Sequence, residues 1–251
     1  MDTYQIPIWY WQPNQERTST MPTIVFVSPK GGAGKTTSAL ILAEQLARKT
    51  DVTVIDADPN HPIKTWAAGQ KSLNRLRVTT DADEENVIER IEEAASQTPF
   101  VIVDLEGTAA KIVLLAISQA DLVIIPTQGS QLDSKQAARA LHVIKQQEKM
   151  SRRPVPYGVL LTRTSPIIRT RTMTHINTAF VEAGINVFET SLNEREAFRA
   201  MFSFGAPLAD LDPREVSNLD KAIANAEAFA AEVIATLRKS RESLKTEEVE
   251  A

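Results

Sequence analysis

The chain has no cysteine. Disulfides, thiolate zinc sites and iron–sulfur clusters are therefore excluded. No apolar run approaches the roughly 18 residues of a membrane-spanning helix. The first residues, Met1-Asp2-Thr3, lack the basic start of a signal peptide. A soluble, cytoplasmic protein is the expectation. Net charge is −4 over 251 residues, so any nucleic-acid contact has to come from a local patch. No repeat, Gly/Ser tract or low-complexity linker divides the sequence. With 43% hydrophobic residues, it has the material for one large α/β domain.

Aromatic residues are scarce, at 6%, yet residues 1–20 hold two of the three tryptophans (Trp9, Trp11) and two of the three tyrosines (Tyr4, Tyr10). The same stretch contains Pro7 and Pro13 and has neither strand nor helix periodicity. It reads as a disordered leader, with an aromatic docking peptide as the alternative. Residues 21–251 read as a single domain.

From Met21 onward, apolar strands alternate with helical patterns. Strands are expected at 23–28, 52–56, 75–80, 100–104, 122–126, 157–162 and 185–190. Helices are expected at 35–49, 83–97, 109–119, 133–148 (with Asp133 as its cap), 170–183, 193–203 and 217–245. Short apolar strands alternating with helices predict a mostly parallel sheet of about seven strands, with helices on both faces and right-handed crossovers. The fold class expected is α/β, with three layers.

Between the first strand and the first helix stands PKGGAGKTT, residues 29–37. Without a Cβ, Gly31, Gly32 and Gly34 let the backbone curl round a phosphate, and Ala33 continues the loop. Successive N–H groups then face inward, and the helix N-terminus adds positive field. Lys35 is placed to reach the β- and γ-phosphates, Thr36 to offer its hydroxyl to Mg²⁺, and Thr37 to lie near the α-phosphate. Two further strands end in acids, IDADPN (55–60) and FVIVD (100–104). Carboxylates at the carboxyl ends of parallel strands face the ligand crevice of such a sheet. Asp104 has the setting of an aspartate that holds Mg²⁺ through water.

KGGAGKTT resembles the deviant Walker A box of the ParA/MinD superfamily. By that resemblance Lys30 crosses a dimer interface and touches the phosphates held by the other subunit, so that a homodimer sandwiches two ATP. The resemblance also implies that Asp58 orients the attacking water, and that Asp56 lies near the magnesium shell. Thr162 and Arg163, in LTRT (161–164), fall where the family packs the adenine base. IIPTQ (124–128) resembles the family's strand end carrying a glutamine, here Gln128. The run Ser203, Gly205, Pro207 matches a late Ser-x-Gly-x-Pro pattern. NEREAF (193–198) also resembles the T-DNA-processing ATPases of virulence plasmids. One departure stands out. Where most members continue from the Walker B aspartate with Thr-Pro, this chain has Leu105 and Glu106. That bears on hydrolysis rate rather than on nucleotide binding.

From Lys149 to Val181 there is no acidic residue. Arg152, Arg153, Arg163, Arg169 and Arg171 fall in this window. ParA-type dimers bind DNA without sequence preference, and several arginines on phosphates give such salt-sensitive affinity. A solvated face of mixed charge is the alternative. The C-terminal RKSRESLKTEEVEA shows no large apolar face, so no membrane helix of the MinD type is expected.

The resemblance therefore implies a slow, partner-stimulated ATPase requiring ATP and Mg²⁺. It would dimerise on ATP, bind DNA non-specifically, and drive plasmid or chromosome partition with a ParB-like, centromere-binding partner. It would be cytoplasmic, and nucleoid-associated when ATP-bound. Three alternatives remain open: positioning of another cargo, such as a conjugation or T-DNA complex or cellulose synthase; a metabolic P-loop synthetase; and a nucleotide-gated scaffold that does not turn over.

Overall fold

The computed structural model describes residues 21–29, 31–69, 72–106, 110–129, 131–165 and 171–250. Lys30, Arg169 and residues 1–20 lie outside the described residues.

Seven parallel strands form one sheet in the order β3-β2-β4-β1-β5-β6-β7. They are β1 (Thr23–Phe26), β2 (Val52–Ala57), β3 (Leu76–Thr79), β4 (Phe100–Leu105), β5 (Leu122–Gln128), β6 (Tyr157–Thr164) and β7 (Leu192–Asn193). The helices are α1 (Lys35–Ala47), α2 (Pro62–Gly69), α3 (Val87–Gln97), α4 (Ala110–Ser118), α5 (Gln131–Ser151), α6 (Arg171–Glu182), α7 (Glu196–Phe204) and α8 (Leu219–Glu250). The three-layer α/β architecture read from the sequence is the one observed.

Side chains alternate across each strand, so residue parity sorts them into two cores. Even-numbered Ile24, Phe26, Val54, Ile102, Ile124 and Leu160 pack with α1, α2, α7 and α8. Odd-numbered Val25, Ile55, Val103, Ile125 and Val159 pack with α3 to α6. Both faces of the sheet are covered, which explains why the central strands are mostly apolar at successive positions, with exceptions such as Thr23, Thr53, Asp56 and Asp104. Helix α1 is buried along nearly its whole length, from Ser38 to Ala47. It is apolar on most sides because the sheet, α2 and α8 enclose it.

Three local expectations are corrected. Residues 185–190 do not form a strand: only Val187 makes a single bridge to Val159, and the seventh strand is the dipeptide Leu192–Asn193. Phe188 leaves the strand pattern to pack edge-on against Phe229 of α8, in the space left by the missing side chain of Gly158. Helix α5 begins at Gln131, so Asp133 lies inside it rather than capping it. Helix α2 has no counterpart in the sequence reading.

Candidate nucleotide and metal site

The site forms where the order of the strands reverses, at the carboxyl end of β1. Gly34 occupies the cap position of α1 in the left-handed region, with φ 97°, and Gly32 has φ 77°. No side chain caps this helix. The first intrahelical bond runs from the Ser38 N–H to the Gly34 carbonyl at 2.9 Å. The amides ahead of Ser38 thus remain for a ligand, and an anion at this end meets the positive pole of α1.

Two aspartates face that helix end. Asp56 and Asp104 are paired in register on adjacent strands, about 4.8 Å apart in strand spacing. Both are even-numbered, so both point into the α1 layer, and both are fully buried. One oxygen of Asp56, Oδ2, accepts the N–H groups of Ile63 at 2.9 Å and Lys64 at 3.0 Å, at the start of α2. Its other oxygen has no partner. Burial pushes the Asp56 carboxyl above its ordinary range, and these amides pull it back.

Asp104 is the more exposed to cost, since neither of its oxygens completes a hydrogen bond. Burial pushes its carboxyl up to about 7, against the opposing pull of the Thr36 hydroxyl and the Lys35 ammonium; Asp56 and Asp58 push it further up. The Thr36 hydroxyl comes close enough to be felt without forming a full hydrogen bond. Buried carboxylate oxygens without partners are rare because they are costly. A hard dication sharing Thr36, Asp104 and Asp56 would satisfy them. Among the described residues no cluster of three or more His, Asp or Glu forms a metal site by itself. A hydroxyl and two carboxylates at the phosphate end of α1 are a donor set that suits Mg²⁺, which is usually bound through one or two carboxylates together with phosphate oxygens.

Asp58 sits in the turn after β2, where its Oδ1 accepts the backbone N–H of Asn60 at 2.9 Å and its side-chain amide at 3.1 Å. His61, at φ 44°, follows, with Nδ1 3.2 Å from the Asp56 carbonyl. Leu105 is buried in the core, whereas Glu106 is exposed at the end of β4.

A cavity of about 430 Å³ adjoins the glycine loop. Gly34, Thr37, Ser38 and Ile41 form one wall, Thr162 and Arg163 a second, and Phe198 and Phe202 of α7 a third. Its position and mixed lining suit a nucleoside. Arg163 stands at a bulge where β6 passes β7, with φ 51°. Such a bulge re-aims a side chain at a strand end.

The loop itself is tied to the sheet by two contacts that sequence reasoning did not find. Gln128 Nε2 donates to the Gly32 carbonyl at 2.7 Å, and Thr162 Oγ1 to the Ala33 carbonyl at 2.8 Å. The parity of both residues was the available signal, since even positions face α1.

Within the basic window, Arg152 and Arg153 are not brought beside Arg163. Arg152 and Arg153 follow α5 at the amino end of β6, and Arg163 lies near its carboxyl end, about 20 Å of strand away. Arg153 donates to the Ala120 carbonyl at 3.0 Å and stands 3.8 Å from Asp121. Arg171 is the first residue of α6.

A family model described as VirC1 protein matches residues 21–239. The chain belongs to the VirC1 family. It is 38% identical to Protein ParA of Rhizobium radiobacter over 226 residues, spanning 90% of this chain and all of the relative. An ATP complex of McdA from Cyanothece superimposes with a TM-score of 0.69 at 19% identity, covering 86% of this chain and 97% of that one. The Mg-ADP complex of the septum site-determining protein MinD from Pyrococcus horikoshii gives 0.65 at 18% identity, covering 84% and 95%. These place the VirC1-family chain in the ParA/MinD superfamily, whose members are ATPases. Among the described residues no helix is long and apolar enough to cross a membrane.

Proposed function

We propose that this VirC1-family protein is a Mg·ATP-driven switch that dimerises around two nucleotides, binds DNA without sequence preference, and is reset by slow hydrolysis. The observation that carries the reading is the pairing of an uncapped α1 N-terminus with two buried, under-bonded aspartates on adjacent strands. One end of that arrangement attracts phosphate and the other attracts a hard cation, which together describe a metal–nucleotide.

Gly31, Gly32, Ala33 and Gly34 wrap the phosphates, Lys35 neutralises the outer ones, and Thr37 lies by the inner one. Thr162 and Arg163 border the nucleoside. Thr36, Asp56 and Asp104 would hold the cation, whose contribution when bound would be to offset charge on the phosphate oxygens. Asp58 orients a water at the outer phosphate. Lys30 is assigned to the partner subunit's phosphates, a cation supplied in trans. Arg152, Arg153, Arg163, Arg169 and Arg171 are the DNA candidates, with Arg152 and Arg153 at the opposite end of β6 from Arg163. Partition with a ParB-like partner is supported by the ParA relative, and another cargo by the VirC1 match.

The test is DNA binding by the purified protein without nucleotide, with ADP and with ATP, at two salt concentrations. ATP-dependent binding to any sequence, weakened by salt, is expected. Lys35→Ala should weaken ATP binding by roughly tenfold or more and abolish the DNA response. Binding in no state would refute the DNA part while leaving the ATP dimer to be tested by light scattering.

A further inference from the structure

The geometry points to Gln128 and Thr162 as a pair of positioning residues that set the phosphate-binding conformation of the glycine loop. This rests on the nucleotide reading above. In a trans peptide the carbonyl of one residue and the N–H of the next point to opposite sides. The Gly32 carbonyl is held by the Gln128 amide at 2.7 Å, and the Ala33 carbonyl by the Thr162 hydroxyl at 2.8 Å. Two consecutive peptide units are therefore fixed with their oxygens toward β5 and β6. Their other ends, the N–H groups of Ala33 and Gly34, are turned away from those strands and toward the hollow of the loop. Consecutive inward amides are what an anion nest requires.

The two anchors come from adjacent strands in matched register, Gln128 opposite Thr162, so they act as one rigid bracket. Thr162 is buried and packs against the loop, since a Cβ on Gly34 would stand 3.4 Å from its side chain. Gln128 is half-exposed and reaches the loop from the solvent side. Gly32 and Gly34 are in the left-handed region, where the backbone would otherwise be free to sample other shapes. The bracket removes that freedom before the phosphate arrives, so less ordering remains to be done on binding.

The consequence is a selective effect. Removing a bracket bond should weaken ligands in proportion to their phosphates, not their base. Calorimetry on the full chain with Mg²⁺ would compare ADP with adenosine, using wild type, Thr162→Val, Thr162→Ser, Gln128→Leu and the double variant Thr162→Val/Gln128→Leu. Each single loss is expected to weaken ADP roughly five- to tenfold, and Gln128→Leu, which lies outside the nucleoside cavity, to leave adenosine unchanged. Thr162→Ser keeps the hydroxyl and should restore ADP affinity. The double variant should lose more than either single one. Gln128→Leu guards against misfolding, because its site is half-exposed and outside both cores. Unchanged ADP affinity in both single variants would overturn the inference. So would a parallel loss for ADP and adenosine in Gln128→Leu, which would show a general disturbance of the site instead of a loosened glycine loop. A wild type that binds neither ligand would overturn the nucleotide reading itself, and the bracket with it.

Discussion

Glu44 lies on α1 with no exposed surface, outside the candidate site. Its Oε1 accepts the Leu208 N–H at 3.0 Å, tying α1 to the segment after α7, and its Oε2 has no partner. Burial pushes its carboxyl from 4.5 up to about 7, against the pull of the Leu208 amide and Arg48. The folded chain therefore holds a proton that the unfolded chain releases. The stability this brings is fully present below about pH 4.5 and is lost as pH rises through about 7. The whole swing is on the order of 3 kcal/mol. Glu44→Gln keeps the acceptor and removes the charge. Its melting temperature should match wild type near pH 5 and exceed it at pH 8; equal melting at pH 8 would show that the carboxylate is stabilised some other way. This residue could not be read from the sequence, because its partner is 164 positions away. Lys35, Thr36 and Asp104 could be, because a glycine loop between strand and helix, and an acid ending an apolar strand, are local patterns. Gln128 was visible as a strand-end residue, but its bond to Gly32 crosses 96 positions.

At the scale of elements, the strands under two-sided burial were legible and the exceptions have causes. Helix α2 was missed because what holds its start is remote: Asp56 accepts the amides of Ile63 and Lys64 from seven and eight residues upstream. The local signal was Pro62 at the first helical position. The expected strand at 185–190 failed because Phe188 serves the core between β6 and α8. That packing gives a test. A Cβ on Gly158 would lie 2.5 Å from the Phe188 ring. Gly158→Ala should therefore destabilise the fold by roughly 1–3 kcal/mol, measured by urea unfolding, and Phe188→Leu in the same chain should recover part of that loss. An unaltered midpoint for Gly158→Ala would mean that the ring moves aside freely.

For the whole molecule, the two cores lie on the two faces of one sheet. Ligand at that sheet's crevice should stabilise all of it. Mg·ATP at about 100 times its Kd should add roughly 2.7 kcal/mol, or some 5–10 °C in Tm for a chain of this size. Removing residues 1–20 should leave ATP turnover and this shift intact if the segment is only a leader. A lost shift would show that the aromatic segment belongs to the working domain.

Helix α1 carries the site at one end and is enclosed along nearly all its length. A rod walled in by sheet, α2 and α8 has nowhere to travel. Any change that nucleotide binding makes in the surface would then fall at the rim, in the turn at Asp58 to His61 and the glycine loop. In hydrogen exchange the amides of α1 should be among the slowest in the chain in every nucleotide state, while those of the rim change between states.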